Sequence, residues 1–84
     1  MPMEECVNFK KLRKAFGISI RKRRYKLNLS QEDFAEKVNI HRTYVSSIEL
    51  GKVDVGIGVA HKIAKALNLP LSKLMKETEI HLKD

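Results

Sequence analysis

The sequence predicts a single all-α domain of five helices that spans residues 1–84. Apolar residues recur every three or four positions along most of the chain, which is the spacing of one helix face. No stretch alternates between apolar and polar residues for long enough to form a strand. A hydrophobic share of 43% in 84 residues is enough for one small core. We therefore expect a compact domain with its helices packed around that core.

The first helix is predicted over residues 7–27. Its apolar face consists of Phe9, Leu12, Phe16, Ile20 and Leu27. Gly17 interrupts this pattern, because a glycine in a helix interior costs ~1 kcal/mol relative to alanine. The apolar spacing continues on both sides of Gly17, so we expect one continuous helix.

The second helix is predicted to begin after Ser30 and to end at Asn39. Ser30 is a favourable N-cap, and Asp33 completes a pattern that resembles a capping box with a shortened acid. The inward residues are Phe34, Ala35 and Val38. Asparagine tolerates the left-handed backbone conformation that often ends a helix.

The third helix is predicted over residues 42–50 and ends at Gly51. Its inward residues are Val45 and Ile48. Only about three residues, 39–41, join the second and third helices, so the two must meet at a steep angle. Small Ala35 lies where they would cross. This is the helix-turn-helix arrangement, and we place it at residues 30–50.

The start of the third helix carries polar side chains where this arrangement leaves it protruding. These are His41, Arg42, Thr43 and Tyr44, followed one turn later by Ser46 and Ser47. A protruding helix N-terminus fits the major groove of DNA. Arginine can form two hydrogen bonds with guanine, and the threonine methyl group can contact the thymine methyl group. We therefore expect this segment to contact bases.

The fourth helix is predicted to start at Asp54 or Gly56 and to end at Asn68. Its buried stripe consists of Ala60, Ile63, Ala64 and Leu67. Pro70 suits the first turn of a fifth helix. That helix carries Leu71, Leu74 and Met75. Because these three offer more apolar surface than a terminal helix needs, we expect them to form a homodimer interface. Either Ile80 and Leu82 or the N-terminal Phe9 and Leu12 are candidates to extend it.

The positive charge of the chain is concentrated in its first helix. The net charge is +7; residues 1–26 hold nine Lys or Arg and two Glu, whereas residues 27–84 hold eight of each sign. The basic residues are densest in residues 21–26. Such a cluster favours a polyanionic partner, most often a nucleic acid and less often an anionic membrane. The alternative is a helix face that is merely solvated.

Four segments carry a family resemblance: FGISIRKRR, LSQEDFAEKVNI, SSIELGK and HKIAKALNLPLSKLM. Through them, residues 16–76 resemble the Xre-type family, the helix-turn-helix domains of lambdoid phage repressors and Cro proteins. Within the family, HRTYVSSIE most resembles the controller proteins of restriction–modification systems. The resemblance implies a lambda-repressor-like fold. It also implies a transcriptional regulator that binds a palindromic operator in double-stranded DNA as a homodimer.

The resemblance and the basic cluster together assign roles to side chains. The base-contacting positions are Arg42, Thr43, Ser46 and Ser47, and the positions that contact bases or backbone are His41 and Tyr44. The alternative for Tyr44 is that it packs over the second helix. The phosphate-contacting positions are Gln31, Arg21, Lys22, Arg23 and Lys52. Arg24 and Glu49 match a buried ion pair between the first and third helices. Arg24 also lies on the apolar helix face, where an unpaired charge would be costly.

The sequence departs from the family pattern in three places. Asn39 replaces the usual turn glycine, which is harmless, and the other two places lie between the third helix and the start of the fourth. Val53 stands where relatives often have a basic residue near a phosphate or the minor groove. Gly56 and Gly58 weaken the start of the fourth helix, where serine and a larger residue are more usual. We therefore expect residues 52–58 to be flexible.

Other classes of function lack support in the sequence. Cys6 is the single cysteine, which gives no disulfide framework and no Cys-based metal site. The three histidines lie twenty residues apart, so we expect no metal, and no cofactor or small-molecule ligand is evident. Ser46 and Ser47 lack the turn and acid partner of a hydrolase, so we expect no enzyme. No apolar run is long enough for a membrane span, so we expect a cytoplasmic protein.

Two functions from different classes agree with these observations. The first is the DNA-binding regulator described above. The second is an antitoxin-like protein-interaction module that binds a toxin partner and uses DNA binding for autoregulation. A neighbouring toxin gene would favour the second function. A neighbouring endonuclease or methyltransferase gene would favour a restriction–modification controller.

Overall fold

The computed structural model describes residues 8–83, and these form five α-helices joined by short turns. The helices are α1 (Phe9–Lys26), α2 (Gln31–Val38), α3 (Arg42–Glu49), α4 (Ile57–Ala66) and α5 (Leu71–Leu82). The predicted all-α fold of five helices is thus confirmed. The acidic N-terminal segment with Cys6, the predicted helix start at Val7, and Asp84 lie outside the described residues.

Local sequence signals set several helix boundaries. Ser30 Oγ accepts a hydrogen bond from the Asp33 backbone N–H at 3.0 Å, and the Asp33 carboxylate accepts one from the Ser30 backbone N–H at 3.4 Å. The predicted capping box therefore starts α2. Asn39 ends α2 with φ 64°, Gly51 follows α3 with φ 72°, and Asn68 follows α4 with φ 61°. Glycine and asparagine are the residues that most readily adopt this left-handed conformation.

The start of α4 agrees with one of its two predicted positions, Gly56, whereas α5 differs in detail from the prediction. Gly56 is the N-cap of α4 and offers no side-chain hydrogen bond, so this helix end is weakly capped. Pro70 is the N-cap of α5, not a residue of its first turn, because the helix begins at Leu71. α5 continues to Leu82, well beyond Met75.

Buried apolar residues from all five helices form one core. They are Phe16, Ile20, Phe34, Ala35, Val38, Val45, Ile48, Ala60, Ile63, Ala64, Leu67 and Leu74. The prediction that Phe9 and Leu27 lie on the buried face of α1 is wrong, because Phe9 is 63% exposed and Leu27 is 37% exposed. The first buried residue of α1 is Ala15, and Leu27 is the C-cap of the helix. The prediction, which rested on the spacing of apolar residues, therefore made the buried face too long at both ends.

Leu74 belongs to this core and not to a dimer interface. Its exposed fraction is 0%. α1 makes its most extensive helix contact with α5, and beside Leu74 the buried Thr78 Oγ1 lies 3.2 Å from Ser19 Oγ and 2.9 Å from the Leu74 carbonyl oxygen. The prediction that Leu74 contacts a second subunit is therefore wrong, because its side chain is fully buried in the core of its own domain.

Gly17 lies where α1 crosses the end of α3. A Cβ atom at this position would lie 2.6 Å from the carbonyl oxygen of Ile48, and closer still to that of Glu49. Such a contact is too short for any side chain. The glycine that interrupts the apolar pattern of α1 is therefore the residue that permits the two helices to approach.

No helix among the described residues combines the length and the apolar character that a membrane span requires.

Gly17→Ala should destabilise the domain by ~1–3 kcal/mol, because the added methyl group must displace the α3 backbone. This loss should appear even though alanine is ~1 kcal/mol better than glycine inside a helix. Gly58→Ala is the matched control, because nothing lies within 4 Å of its added Cβ. It should be neutral or slightly stabilising. Urea unfolding measures both changes, and a Gly17→Ala protein as stable as wild type would contradict the close crossing.

Candidate nucleic-acid interface

The turn between α2 and α3 is fixed by the backbone and by one apolar side chain. Asn39 adopts the left-handed conformation, and the Ile40 backbone N–H donates to the Ala35 carbonyl at 3.0 Å. Ile40 is half-buried and packs against the core. α2 and α3 pack against each other, with Ala35 buried where the sequence placed it.

One face of α3 is polar and accessible. Arg42 and Thr43 are exposed, and Ser46 and Ser47 are half-buried. At ~100° per residue these four positions span an arc of about 140°, opposite the buried Val45 and Ile48. Guanidinium and hydroxyl groups on this arc are able to form hydrogen bonds with base edges.

His41 and Tyr44 each have a structural contact at the start of α3. His41 Nδ1 accepts a hydrogen bond from the Thr43 backbone N–H at 3.1 Å, so the imidazole caps the helix. Histidine is not among the preferred N-cap residues, so the sequence did not indicate this contact. Tyr44 is half-buried and packs against the core.

Glu49, at the end of α3, is a buried carboxylate that joins three helices. Arg24 on α1 donates to both of its oxygens, from Nε at 2.7 Å and from an η nitrogen at 3.0 Å. Gln31, the first residue of α2, donates to the same carboxylate at 3.2 Å. Arg21 on α1 lies 3.6 Å away, at ion-pair distance. The negative charge of Glu49 is thus balanced by groups from α1 and α2.

Arg24 is held on all sides. Its pKa is raised above the ordinary value, chiefly by the hydrogen bond to Glu49. The other η nitrogen donates to the Leu29 carbonyl at 2.9 Å, and the guanidinium carbon lies 4.8 Å from the centre of the Tyr25 ring. A charged side chain that is only 5% exposed is therefore paired, hydrogen-bonded and stacked.

The basic cluster of α1 is divided between two sides of the helix. Arg21 faces α3, whereas Arg23 forms a two-bond ion pair with Glu77 of α5, in which Nε donates at 3.0 Å. This pair holds the pKa of Glu77 below its usual range. Lys22 lies on the same side as Arg23, beside Glu77 and His81. The expectation that Arg23 is free for phosphates is therefore wrong, and Lys22 is not brought together with α3.

The loop after α3 is anchored to α1 by a residue that the sequence did not single out. Arg13 Nε donates to the Gly51 carbonyl at 3.3 Å, and one of its η nitrogens donates to Asp54 at 3.2 Å. The exposed Lys52 lies between these contacts, and its backbone N–H donates to the Ser47 carbonyl at 2.9 Å. Val53, which replaces a basic residue of the family pattern, packs against the core. No local pattern connects positions 13 and 54, so only the fold reveals this anchor.

Among residues 8–83, no three His, Cys, Asp or Glu side chains converge closely enough to hold a metal ion.

Residues 20–74 match the helix-turn-helix family, which is more than half of the chain. Control protein C.MunI from Mycoplasma sp is 43% identical over 65 residues, a match that covers 76% of this chain and 88% of that protein. Control protein C.BamHI from Bacillus amyloliquefaciens is 40% identical over 70 residues, a match that covers 82% of this chain and 86% of that protein.

The solved structures similar to this chain include a DNA complex. The restriction-modification controller protein C.Esp1396I, solved as a tetramer in complex with its natural 35 base-pair operator, superposes with a TM-score of 0.79. The two chains are 27% identical, and the match covers 87% of this chain and 96% of that one. Both the helix arrangement and the length of this chain thus agree with a protein that was crystallised on DNA.

Glu49→Ala should destabilise the domain by ~3–5 kcal/mol, because it leaves the buried Arg24 without its partner. Asp54→Ala is the matched control, because it removes the carboxylate of an ion pair whose acidic side chain is 83% exposed. That change should cost less than ~1 kcal/mol. Thermal and urea unfolding give both values. If both variants lose the same free energy of unfolding, the buried ion pair of Arg24 and Glu49 is worth no more to stability than an exposed one.

Proposed function

The chain belongs to the helix-turn-helix family, and we propose that it is a sequence-specific transcriptional regulator that binds operator DNA through α3. We further propose that it is a controller of a restriction–modification system. The relatives support this narrower role, because C.MunI and C.BamHI are control proteins and C.Esp1396I is a restriction-modification controller. A regulator of this kind acts on DNA in the cytoplasm and has no catalytic role.

The polar face of α3 is the observation that carries the proposal. Arg42 and Thr43 stand exposed at the first turn, while Val45 and Ile48 hold the opposite face in the core. Arg42 is the strongest candidate for base recognition, because a guanidinium group can bond the O6 and N7 atoms of guanine together. Thr43, Ser46 and Ser47 contribute hydroxyl groups, and the Thr43 methyl group is able to contact thymine.

Phosphate contacts are assigned to groups on both sides of α3. Arg21 and Gln31 both reach Glu49, and Gln31 is the first residue of α2, where the N-terminus of a helix attracts anions. Lys52 is exposed on the loop that follows α3. Such contacts position a protein on DNA without specifying sequence. His41 and Tyr44 remain candidates for backbone or base contact because they lie in the same turn at the start of α3 as Arg42 and Thr43.

Homodimerisation is proposed to occur through an apolar groove formed by α1, the α3–α4 loop, α4 and α5. The groove has a volume of about 300 Å³, and Leu71 and Met75 line it together with Val53, Val55 and Ile57. Ile57 is 81% exposed, which is costly for an apolar side chain with no partner. A second copy is the proposed occupant, because one module of this size contacts few bases and pairing doubles the interface with DNA.

The antitoxin-like alternative is not favoured. The relatives whose names state a role are control proteins, and C.Esp1396I assembles with its operator.

Arg42→Ala should weaken binding to the preferred duplex by ~1–3 kcal/mol and leave binding to unrelated DNA nearly unchanged. The preferred duplex comes from selection with the wild-type protein from random oligonucleotides, and we expect it to be two-fold symmetric. Selection with the Arg42→Ala protein should then show relaxed preference at one base pair in each half-site. Failure of the wild-type protein to enrich any sequence would overturn the proposed function.

Lys52→Ala is the control for Arg42→Ala, because it removes a cation without removing a base contact. It should weaken binding to both kinds of DNA by a similar factor. The slope of log affinity against log salt concentration should fall by ~1 for each phosphate that the variant no longer neutralises. If Arg42→Ala behaves in the same way as Lys52→Ala, Arg42 contacts phosphates and not bases.

Ile57→Asp should convert the dimer to a monomer, because the second copy would have to bury a charge. The monomer should stay folded, since an acidic residue in the first turn of a helix is favourable. Ile80→Lys is the control, because Ile80 is exposed on α5 away from the groove. Sedimentation at micromolar concentrations distinguishes the two states. A dimeric Ile57→Asp protein would place the interface elsewhere.

A further inference from the structure

We propose that Leu50 is an additional specificity-determining residue, which contacts a thymine methyl group in each half-site of the DNA. This inference rests on the proposed function, because it needs α3 to lie in the major groove. Nothing in the sequence pattern or in the roles of the relatives assigns Leu50 a part in recognition. The sequence places it only as the last residue of α3.

The position of Leu50 on the helix brings it into the centre of the polar face. It is the C-cap of α3 with helical backbone angles, and its N–H donates to the Ser46 carbonyl at 3.0 Å. At ~100° per residue, Leu50 projects between Ser46 and Thr43 on the arc that contains the base-contacting candidates. Its direction is therefore shared with those side chains and opposed to the core.

The exposure of Leu50 leaves its side chain available to a partner. Leu50 is 46% exposed, whereas the next apolar residue towards the helix start, Ile48, is 2% exposed. Leu50 lies ~12 Å further along the helix axis than Arg42 and on the same face. A recognition helix that lies in the major groove is therefore able to present both residues to the bases.

The charges around Leu50 favour DNA over an apolar protein surface. Lys52 follows it by two residues, and the backbone of Lys14 packs against the neighbouring Gly51. Arg21 lies on the adjacent part of α1 and reaches Glu49. A partner that covers Leu50 must therefore offer an apolar spot bordered by negative charge. A thymine methyl group between two phosphate backbones has this chemistry.

The test combines a change in the protein with the removal of one methyl group from the DNA. The probes are the duplex enriched by selection with the wild-type protein and a series in which each thymine in turn is replaced by deoxyuridine, which lacks that methyl group. At one thymine per half-site, the replacement should lower wild-type affinity about three- to fivefold, as expected for one buried methyl group. Leu50→Ala should lower affinity for the unmodified duplex by a similar or larger factor. The affinity of the Leu50→Ala protein should then not change when deoxyuridine replaces thymine at that position.

Two further variants make the result specific. Leu50→Met keeps an apolar side chain and should retain the sensitivity to deoxyuridine. Ile80→Ala removes an exposed apolar side chain on α5 and should bind every duplex as the wild-type protein does. If Leu50→Ala binds as tightly as wild type, or keeps the sensitivity at every thymine, the role of Leu50 is refuted and the proposed function stands. If the wild-type protein enriches no sequence, the proposed function fails first and Leu50 loses its role with it.

Discussion

The architecture depends on a buried carboxylate. Glu49 is 4% exposed, and a negative charge at such a position is tolerated only if cationic or hydrogen-bonding groups surround it. Arg24 provides two hydrogen bonds from α1, and Gln31 provides one from the start of α2. Each partner can reach Glu49 only if its own helix is correctly placed. The ion pair therefore fixes the relative positions of α1, α2 and α3 as well as contributing to stability.

This constraint has consequences for the polar face of α3, the proposed DNA-binding surface. Because Glu49 ends α3, anchoring its carboxylate holds the helix against α1, and Gly17 permits the close approach. The capping contact of His41 orders the other end of the helix. α3 is thus held at both ends while its outer face stays open. A rigid frame of this kind lowers the entropy cost of ordering side chains on DNA.

The structure also shows that the arginines of the basic cluster on α1 have different partners and different roles. Arg24 stabilises the fold, Arg23 joins α1 to α5 through Glu77, and Arg21 is the member that faces α3. Four arginine or lysine residues in a row cannot all face one partner, because consecutive helix positions differ by ~100°. The apolar groove near Ile57 lies on a further surface, so pairing of subunits and contact with DNA need not compete.

The sequence by itself determined the five helices, the helix-turn-helix, the capping box and most of the core. These follow from residues that are close together in the chain, such as Ser30 with Asp33, and from spacing on a single helix. The family resemblance supplied the pairing of Arg24 with Glu49. Only the tertiary structure decided the partners that lie far apart in sequence: Arg23 with Glu77, Arg13 with Asp54, and Gly17 with the end of α3. It also assigned Leu74 to the core. An apolar residue or a cation has the same local pattern whether it faces another helix or the solvent, and the difference is set by which helix packs beside it.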